Sequence, residues 1–423
     1  MLSTRGLQWA QVGHAHGARD RYHPSKNPQG VVSFDNAENW LMHSDLTRFI
    51  NTLNFDESSC SYGEGFTGSL RLRKAMANHM NRHFEPASPI DAEEITFASG
   101  VTDLNEACAL VTCNPDAKEA IMLGRPVYGS FSRDLCMRTG VDLEYVSVGN
   151  TDQFTPACVA AFETGYEEAK ARGRNIRALM ICNPHNPLGN CYPRETLVGL
   201  LQLCARKGIH LISDEIYALS VYNRTDRQSE SFTSVRSIDF SGIIDPKWVH
   251  VLYGMSKDFS ACGMRLGCVV SQNRDFTNAV RSICRFSSPS QFSMEIAASL
   301  LENQDFIEPF LEKSQARLLD NRLVAESLLS QAGISFHDKG NAGFFIWIDL
   351  SPFLPIEETN GDGWKAQRLL SERLKEAGVS MSTGETYRAP APGMFRVIFS
   401  VDEDTLREGV RRISRVVSGA SVE

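Results

Sequence analysis

The sequence predicts an α/β fold in which a large domain with a mainly parallel central sheet, sandwiched by helices, is joined to a smaller α+β domain. Three observations predict it. Strand-like and helix-like segments alternate from about residue 95 to residue 300, the pattern of parallel strands with crossover helices. Ile176 to Cys182 is a mostly apolar run closed by Asn183-Pro184, as suits a strand buried on both faces. After a long amphipathic stretch, Phe306 to Ala332, the texture changes to strands flanking a helix.

Size and composition frame the problem. A chain of 423 residues is too long for one simple core and predicts two domains sharing an interface. The net charge of −8 argues against a general nucleic-acid binder, while leaving room for a local cationic pocket. No stretch approaches the roughly 18 apolar residues of a membrane helix. Met1 to Gly30 carries His, Arg, Lys and Pro where an export signal needs an apolar run. The 11 cysteines contain no C-x-x-C pair, which points to free thiols in a reducing cytoplasm rather than a metal site.

The elements follow in chain order. Gly63-Glu64-Gly65-Phe66-Thr67-Gly68 fits G-x-G-x-x-G, but polar residues precede it where a dinucleotide fingerprint needs an apolar strand. A glycine-rich turn before a basic helix, Ser69 to Arg82, is the reading. Glu94 to Ala98 is a short strand, Asp103 to Val111 a helix and Ala120 to Leu123 a strand ending in the loop Arg125 to Gly129. A helix near Arg194 to Arg206 follows the Ile176 strand. His210 to Ser213, Trp248 to Tyr253 and Arg265 to Ser271 supply further strands. Beyond the long helix, strands at Phe344 to Ile348 and Phe395 to Phe399 flank helical Trp364 to Ala377.

One segment stands out chemically. In Ser256-Lys257-Asp258 through Arg265, a lysine behind an apolar strand is followed by a second cation. Burial near cations lowers a lysine's pKa toward the neutral amine that Schiff-base chemistry requires. Four other segments bring complementary groups. Ser99-Gly100-Val101-Thr102 opens a helix whose N–H groups favour an anion. Asn183 to Gly189 is a rigid turn with an exposed amide, and Asp214 ends a strand three residues before Tyr217. Phe395-Arg396 offers a guanidinium suited to a bidentate grip on a carboxylate. Each has a plainer use as well: Asp214 suits a helix N-cap, Tyr128 plain core, Arg396 an exposed edge strand, Glu38 surface and His185 a turn.

Together these segments resemble the fold-type I pyridoxal-phosphate (PLP) enzymes of the class I/II aminotransferase superfamily. Asn36-Ala37-Glu38-Asn39, Asn-Pro-His-Asn-Pro-Leu-Gly at 183–189, Ser-Asp-Glu-Ile-Tyr at 213–217 and Pro-Gly-Met-Phe-Arg at 392–396 resemble the 1-aminocyclopropane-1-carboxylate (ACC) synthase-like branch. The resemblance implies that Lys257 forms the cofactor imine and moves protons at the substrate α-carbon. It implies Asp214 on the pyridine nitrogen and Asn186 and Tyr217 on the phenolate oxygen. Tyr128 would stack on the ring, while Ser256, Arg265 and the amides of Gly100, Val101 and Thr102 would hold the phosphate. Arg396 would bind the substrate carboxylate and Glu38 lie near its amino group. Two positions depart from the family pattern. Phe66 stands where a tyrosine reaches across to the neighbouring subunit's cofactor, and Gly254 where a serine binds phosphate.

The resemblance further implies a large PLP-binding domain at 59–301 and a discontinuous small domain at 1–58 plus 302–423. The implied activity is that of an aminotransferase/ACC synthase-like enzyme acting at the α-carbon of an amino acid through an external aldimine, in a cytoplasmic homodimer. The alternatives are a C–S β-lyase or a γ-elimination or γ-replacement enzyme on a sulfur- or sulfonium-containing amino acid. A non-catalytic binding or regulatory protein of the same fold is more remote.

Overall fold

The structure is a computed structural model that describes residues 2–11, 20–149 and 152–419. The outer parts of the N-terminal arm (1 and 12–19) and residues 420–423 lie outside the described residues.

Seven strands form the main sheet: β1 (Ile95–Ala98), β2 (Glu119–Arg125), β3 (Asp142–Ser147), β4 (Asn175–Cys182), β5 (His210–Asp214), β6 (Val249–Gly254) and β7 (Gly267–Ser271). Their spatial order is β1-β7-β6-β5-β4-β2-β3, parallel from β3 through β6, with β7 antiparallel to both of its neighbours. Every residue of β1, β6 and β7 is buried, which explains why they read as apolar runs rather than alternating strands.

Helices cover the sheet, among them α1 (Leu70–His83), α2 (Val101–Thr112), α3 (Cys158–Ala171), α4 (Arg194–Lys207), α5 (Arg274–Cys284) and α6 (Gln291–Glu302). Ser69 caps α1 by accepting from the Leu72 N–H at 3.1 Å, so the glycine-rich segment is a turn feeding a capped helix. Within it Gly68 has φ +101°, and a Cβ there would meet the Phe97 ring at 2.6 Å.

The 28-residue helix α7 (Gln304–Gln331) joins two cores. Ile307, Phe310 and Leu311 pack into the core of the large sheet, whereas Leu318, Ala325 and Leu329 pack into a second core. The second core backs an antiparallel sheet ordered Ser382–Thr383, β9 (Met394–Ile398), β8 (Phe345–Asp349) and Ser335–Phe336. It is flanked by α8 (Gly363–Glu376) and α9 (Glu403–Val417). Val32–Ser33 pairs in parallel with Val379–Ser380, tying the N-terminal segment to this unit.

Two expected boundaries shift for local reasons. Arg265 is not in β7: it ends a short 3-10 turn, Cys262–Met264, in the left-handed region at φ +48°, and the strand starts at Gly267. Trp248 belongs to the 3-10 turn Pro246–Trp248, whose capping residue Asp245 accepts from the Lys247 N–H. Strand β3 and helices α3, α5, α6 and α9 were not singled out in the sequence. Their apolar positions are diluted by charged faces, as in Asp142-Leu143-Glu144-Tyr145.

Candidate active site

The parallel strands β2, β4, β5 and β6 end at the same edge of the sheet, so the residues that follow them meet there. Tyr128 follows β2, Asn186 follows β4, Asp214 ends β5 and Lys257 follows β6. They line one cavity of about 900 Å³ together with Glu38, Val101, Thr102, Tyr217, Ser256, Arg265 and Arg396. Two predicted residues stand differently, whereas His185 keeps the turn position expected of it. Gly100 does not line the cavity, and its N–H donates to the Ala98 carbonyl at 2.7 Å. Phe66 is exposed, away from the cavity, with the Arg285 guanidinium 5.5 Å from its ring. His185 is buried, outside the cavity lining, and burial pushes its pKa down to about 3.

The Lys257 Nζ donates to the Ala37 carbonyl and lies 5.7 Å from the centre of the Tyr217 ring. Burial lowers its pKa, with the Arg396 charge acting the same way, and Cys262, Glu38 and Asp214 opposing. Asp214 is 4% exposed, and burial pushes its carboxyl up to about 7 against the pull of the Ile216 N–H, which donates to Oδ1 at 3.2 Å. A turn rather than a helix follows, so Asp214 is no helix cap. Arg396 is 4% exposed and sits on an inner strand, not an edge. Its Nη1 donates to Asn186 Oδ1 at 3.1 Å and its Nη2 to the Asp35 carbonyl, while the Tyr387 and Phe345 rings lie 4.9 and 5.4 Å from the guanidinium. The Arg396 Nε is buried without a partner.

Other wall residues escaped the sequence reading. Asn105 lies one turn beyond Val101 on α2, so its place on the same face was readable from helical spacing. It donates to Asp134 at 3.2 Å, a carboxyl that burial pushes up to about 7. Asp35 accepts from the Ser380 and Ser382 hydroxyls, and Tyr387 covers Arg396. Asp35 adjoins the Asn36-Ala37-Glu38-Asn39 motif, whereas Asp134 ends the short helix Phe131–Asp134 and Tyr387 lies in a turn, neither with a pattern of its own.

Comparison with known proteins names this arrangement. The family described as Aminotransferase class I and II matches residues 51–413. The chain belongs to the class I and II aminotransferase family. ACC synthase 6 of Oryza sativa subsp. japonica is 32% identical over 90% of the chain and 71% of its own length. ACC synthase-like protein 1 of Homo sapiens is 30% identical over 99% and 84%. An Arabidopsis thaliana protein described as a probable aminotransferase is 32% identical over 95% and 82%. Among solved structures, the multiple substrate aminotransferase of Thermococcus profundus superposes with a TM-score of 0.77 at 19% identity, covering 99% of this chain and 97% of that one. The fold is thus the aminotransferase fold type I. The protein is a PLP-dependent enzyme of the aminotransferase/ACC synthase-like kind.

The cavity fits that cofactor on its own geometry. Val101 and Thr102, whose first-turn N–H groups have no partner within the helix, line the cavity together with Arg265, and a Cβ at Gly100 (φ +95°) would stand 2.8 Å from Arg265 Nη2. Asp214 is a buried carboxyl that accepts from the Ile216 N–H, a chemistry that fits a ring N–H as a further donor. Gly254 is set against β7: a Cβ there would lie 2.7 Å from both the Gly267 Cα and the Leu266 carbonyl oxygen. A serine at this position therefore collides with the neighbouring strand instead of restoring a phosphate ligand. Gly254→Ser is expected to destabilise the protein by about 1–3 kcal/mol in urea unfolding without tightening PLP binding.

Asp214 also predicts a pH dependence. Its folded pKa lies above the unfolded value, so its contribution to stability is full below about pH 4 and is lost as pH rises through about 7. The cofactor-free protein should accordingly lose stability relative to Asp214→Asn between about pH 4 and about pH 7 in thermal unfolding.

Proposed function

We propose that the protein transfers the amino group of an α-amino acid to a keto acid, working as a cytoplasmic homodimer. The observation that carries the reading is one cavity holding both a lysine of lowered pKa and a buried arginine whose Nε is unpartnered. When bound, PLP supplies an electron sink that stabilises negative charge at the substrate α-carbon.

The protein's own groups do the rest. Arg396 holds the α-carboxylate, its orientation set by Asn186 and the Asp35 carbonyl, so that the amino acid enters in one pose. Lys257, poised to lose its proton, would move the proton at the substrate α-carbon. Asp214 would accept from the ring N–H and keep that nitrogen charged. Asn186 and Tyr217, which line the cavity, would meet the cofactor's phenolate oxygen, and Tyr128 would stack on the ring. Val101, Thr102, Ser256 and Arg265 would hold the phosphate, and Glu38 would lie near the substrate amino group.

Several observations support the wider reading. Tyr62 and Phe286 are 85% and 86% exposed, and the Tyr62 ring lies 6.0 Å from that of Phe66; exposed rings of this kind suit contact with a second copy. All 11 cysteines are free, which fits a reducing compartment. No helix among the described residues is long and apolar enough to cross a membrane. The division into a large unit (59–301) and a small unit (1–58 with 302–423) is supported by α7, which feeds both cores. Met42, Leu46 and Phe49 of the N-terminal part pack into the large core and form the seam.

Mass-spectrometric product analysis with candidate amino acids tests the reaction. Conversion to a keto acid only when a keto-acid acceptor is present is the expected result. Loss of a side-chain leaving group without an acceptor would replace transfer by elimination. Arg396→Ala should lower kcat/KM by about 10²–10³-fold, chiefly through KM, because two charge-assisted hydrogen bonds to the carboxylate are lost.

A further inference from the structure

The wall that presents Tyr128 and Tyr387 to the reaction cavity has a charged outer side. Arg125 ends β2 three residues before Tyr128, and Arg388 directly follows Tyr387. With Arg368 and Trp364 of α8 and Tyr145 of β3, they line a second cleft of about 510 Å³. Two carboxylates also face it, and both are engaged. Glu385 accepts from Arg368 at 2.7 Å. Asp362 caps α8, accepting from the Trp364 and Lys365 N–H groups at 3.1 and 3.0 Å, and lies 3.3 Å from the Lys365 ammonium.

That leaves two guanidiniums unmatched. Among the described residues neither Arg125 nor Arg388 has a carboxylate within 4.0 Å. The Arg125 Nε is buried without a hydrogen-bond partner. Arg388 lies 5.2 Å over the Tyr145 ring and holds a backbone φ of +57°, a strained conformation for a side chain of its size. Two cations brought to one cleft, one with an unsatisfied donor and the other on a strained backbone, are costly unless an anion completes them.

We propose that this cleft binds a small organic anion, its carboxylate or phosphate oxygens held between Arg125 and Arg388 and its flat body resting against Trp364. Guanidinium groups grip either oxyanion through paired N–H donors, and the indole offers an apolar face. The site communicates with the reaction cavity through one backbone contact: the Val127 N–H donates to the Tyr387 carbonyl at 2.9 Å, joining the segments that carry both arginines and both tyrosines. Its existence does not depend on which reaction the protein performs.

Calorimetric titration of the PLP-loaded protein tests it, with citrate as the carboxylate probe and adenosine monophosphate as the phosphate probe. Loading with PLP keeps the cofactor's own phosphate site filled. Saturable uptake of at least one probe is expected, and the arm that saturates identifies the oxyanion. Arg125→Gln and Arg388→Gln should each weaken it about tenfold, equivalent to about 1.4 kcal/mol. Arg388→Lys keeps the charge but loses the paired donors and should also weaken it. Arg396→Ala should leave it unchanged, and all variants should retain the native fold by circular dichroism. No saturable uptake of either probe overturns the proposal. So does uptake insensitive to Arg125 and Arg388, or abolished by Arg396→Ala.

Discussion

Lys257→Ala is expected to remove the visible absorbance band of the lysine-linked cofactor and to slow turnover by about 10³-fold or more. The size of the effect follows from two losses at one atom. On the proposed mechanism the Nζ is both the anchor of the cofactor and the group that carries the proton at the α-carbon. The protein should fold normally, since among the described residues the only side-chain hydrogen bond lost is the one Nζ donates to the Ala37 carbonyl. Stopped-flow and steady-state assays of the variant, with and without an added primary amine, check this. A small amine that enters the cavity can stand in for the proton carrier and should restore part of the rate, whereas a variant that had merely misfolded would not respond. Wild-type turnover in Lys257→Ala would remove the lysine from the chemistry.

Asp214→Ala carries the second large effect, a loss on the order of 10³-fold in kcat with the cofactor still bound. The carboxyl is buried, and burial pushes its pKa up to about 7 before any ring N–H is present. A cationic ring nitrogen beside the carboxylate would reverse that balance, because each charge favours the other. Removing the carboxylate leaves the nitrogen neutral and the electron sink weak. Absorbance titration of the bound cofactor and single-turnover kinetics read the change separately from cofactor affinity. Asp214→Glu should recover part of the rate. Equal loss in the Glu and Ala variants together with weak cofactor binding would point to a purely structural role.

The sequence made the strand-end chemistry legible because apolar runs and polar terminators lie next to one another in the chain. Asp214, Asn186 and Lys257 each follow such a run. Convergence was less legible. Asp134, Asp35 and Tyr387 reach the cavity only through the strand order and the packing of the loops and helices around it, which no local pattern encodes. Gly254 shows the limit most clearly. Its missing hydroxyl is visible in the sequence, but the reason for the glycine lies in the β6–β7 pairing, where Gly254 faces Gly267. Arg396 likewise keeps an exposed edge position as its plainer alternative until β9 is seen between two neighbours.

The most direct test of the account is borohydride reduction of the PLP-loaded protein followed by peptide mass spectrometry. The account predicts a single phosphopyridoxyl adduct, on the peptide containing Ser256-Lys257-Asp258. An adduct on another lysine, or no adduct from a protein that retains PLP, would contradict it.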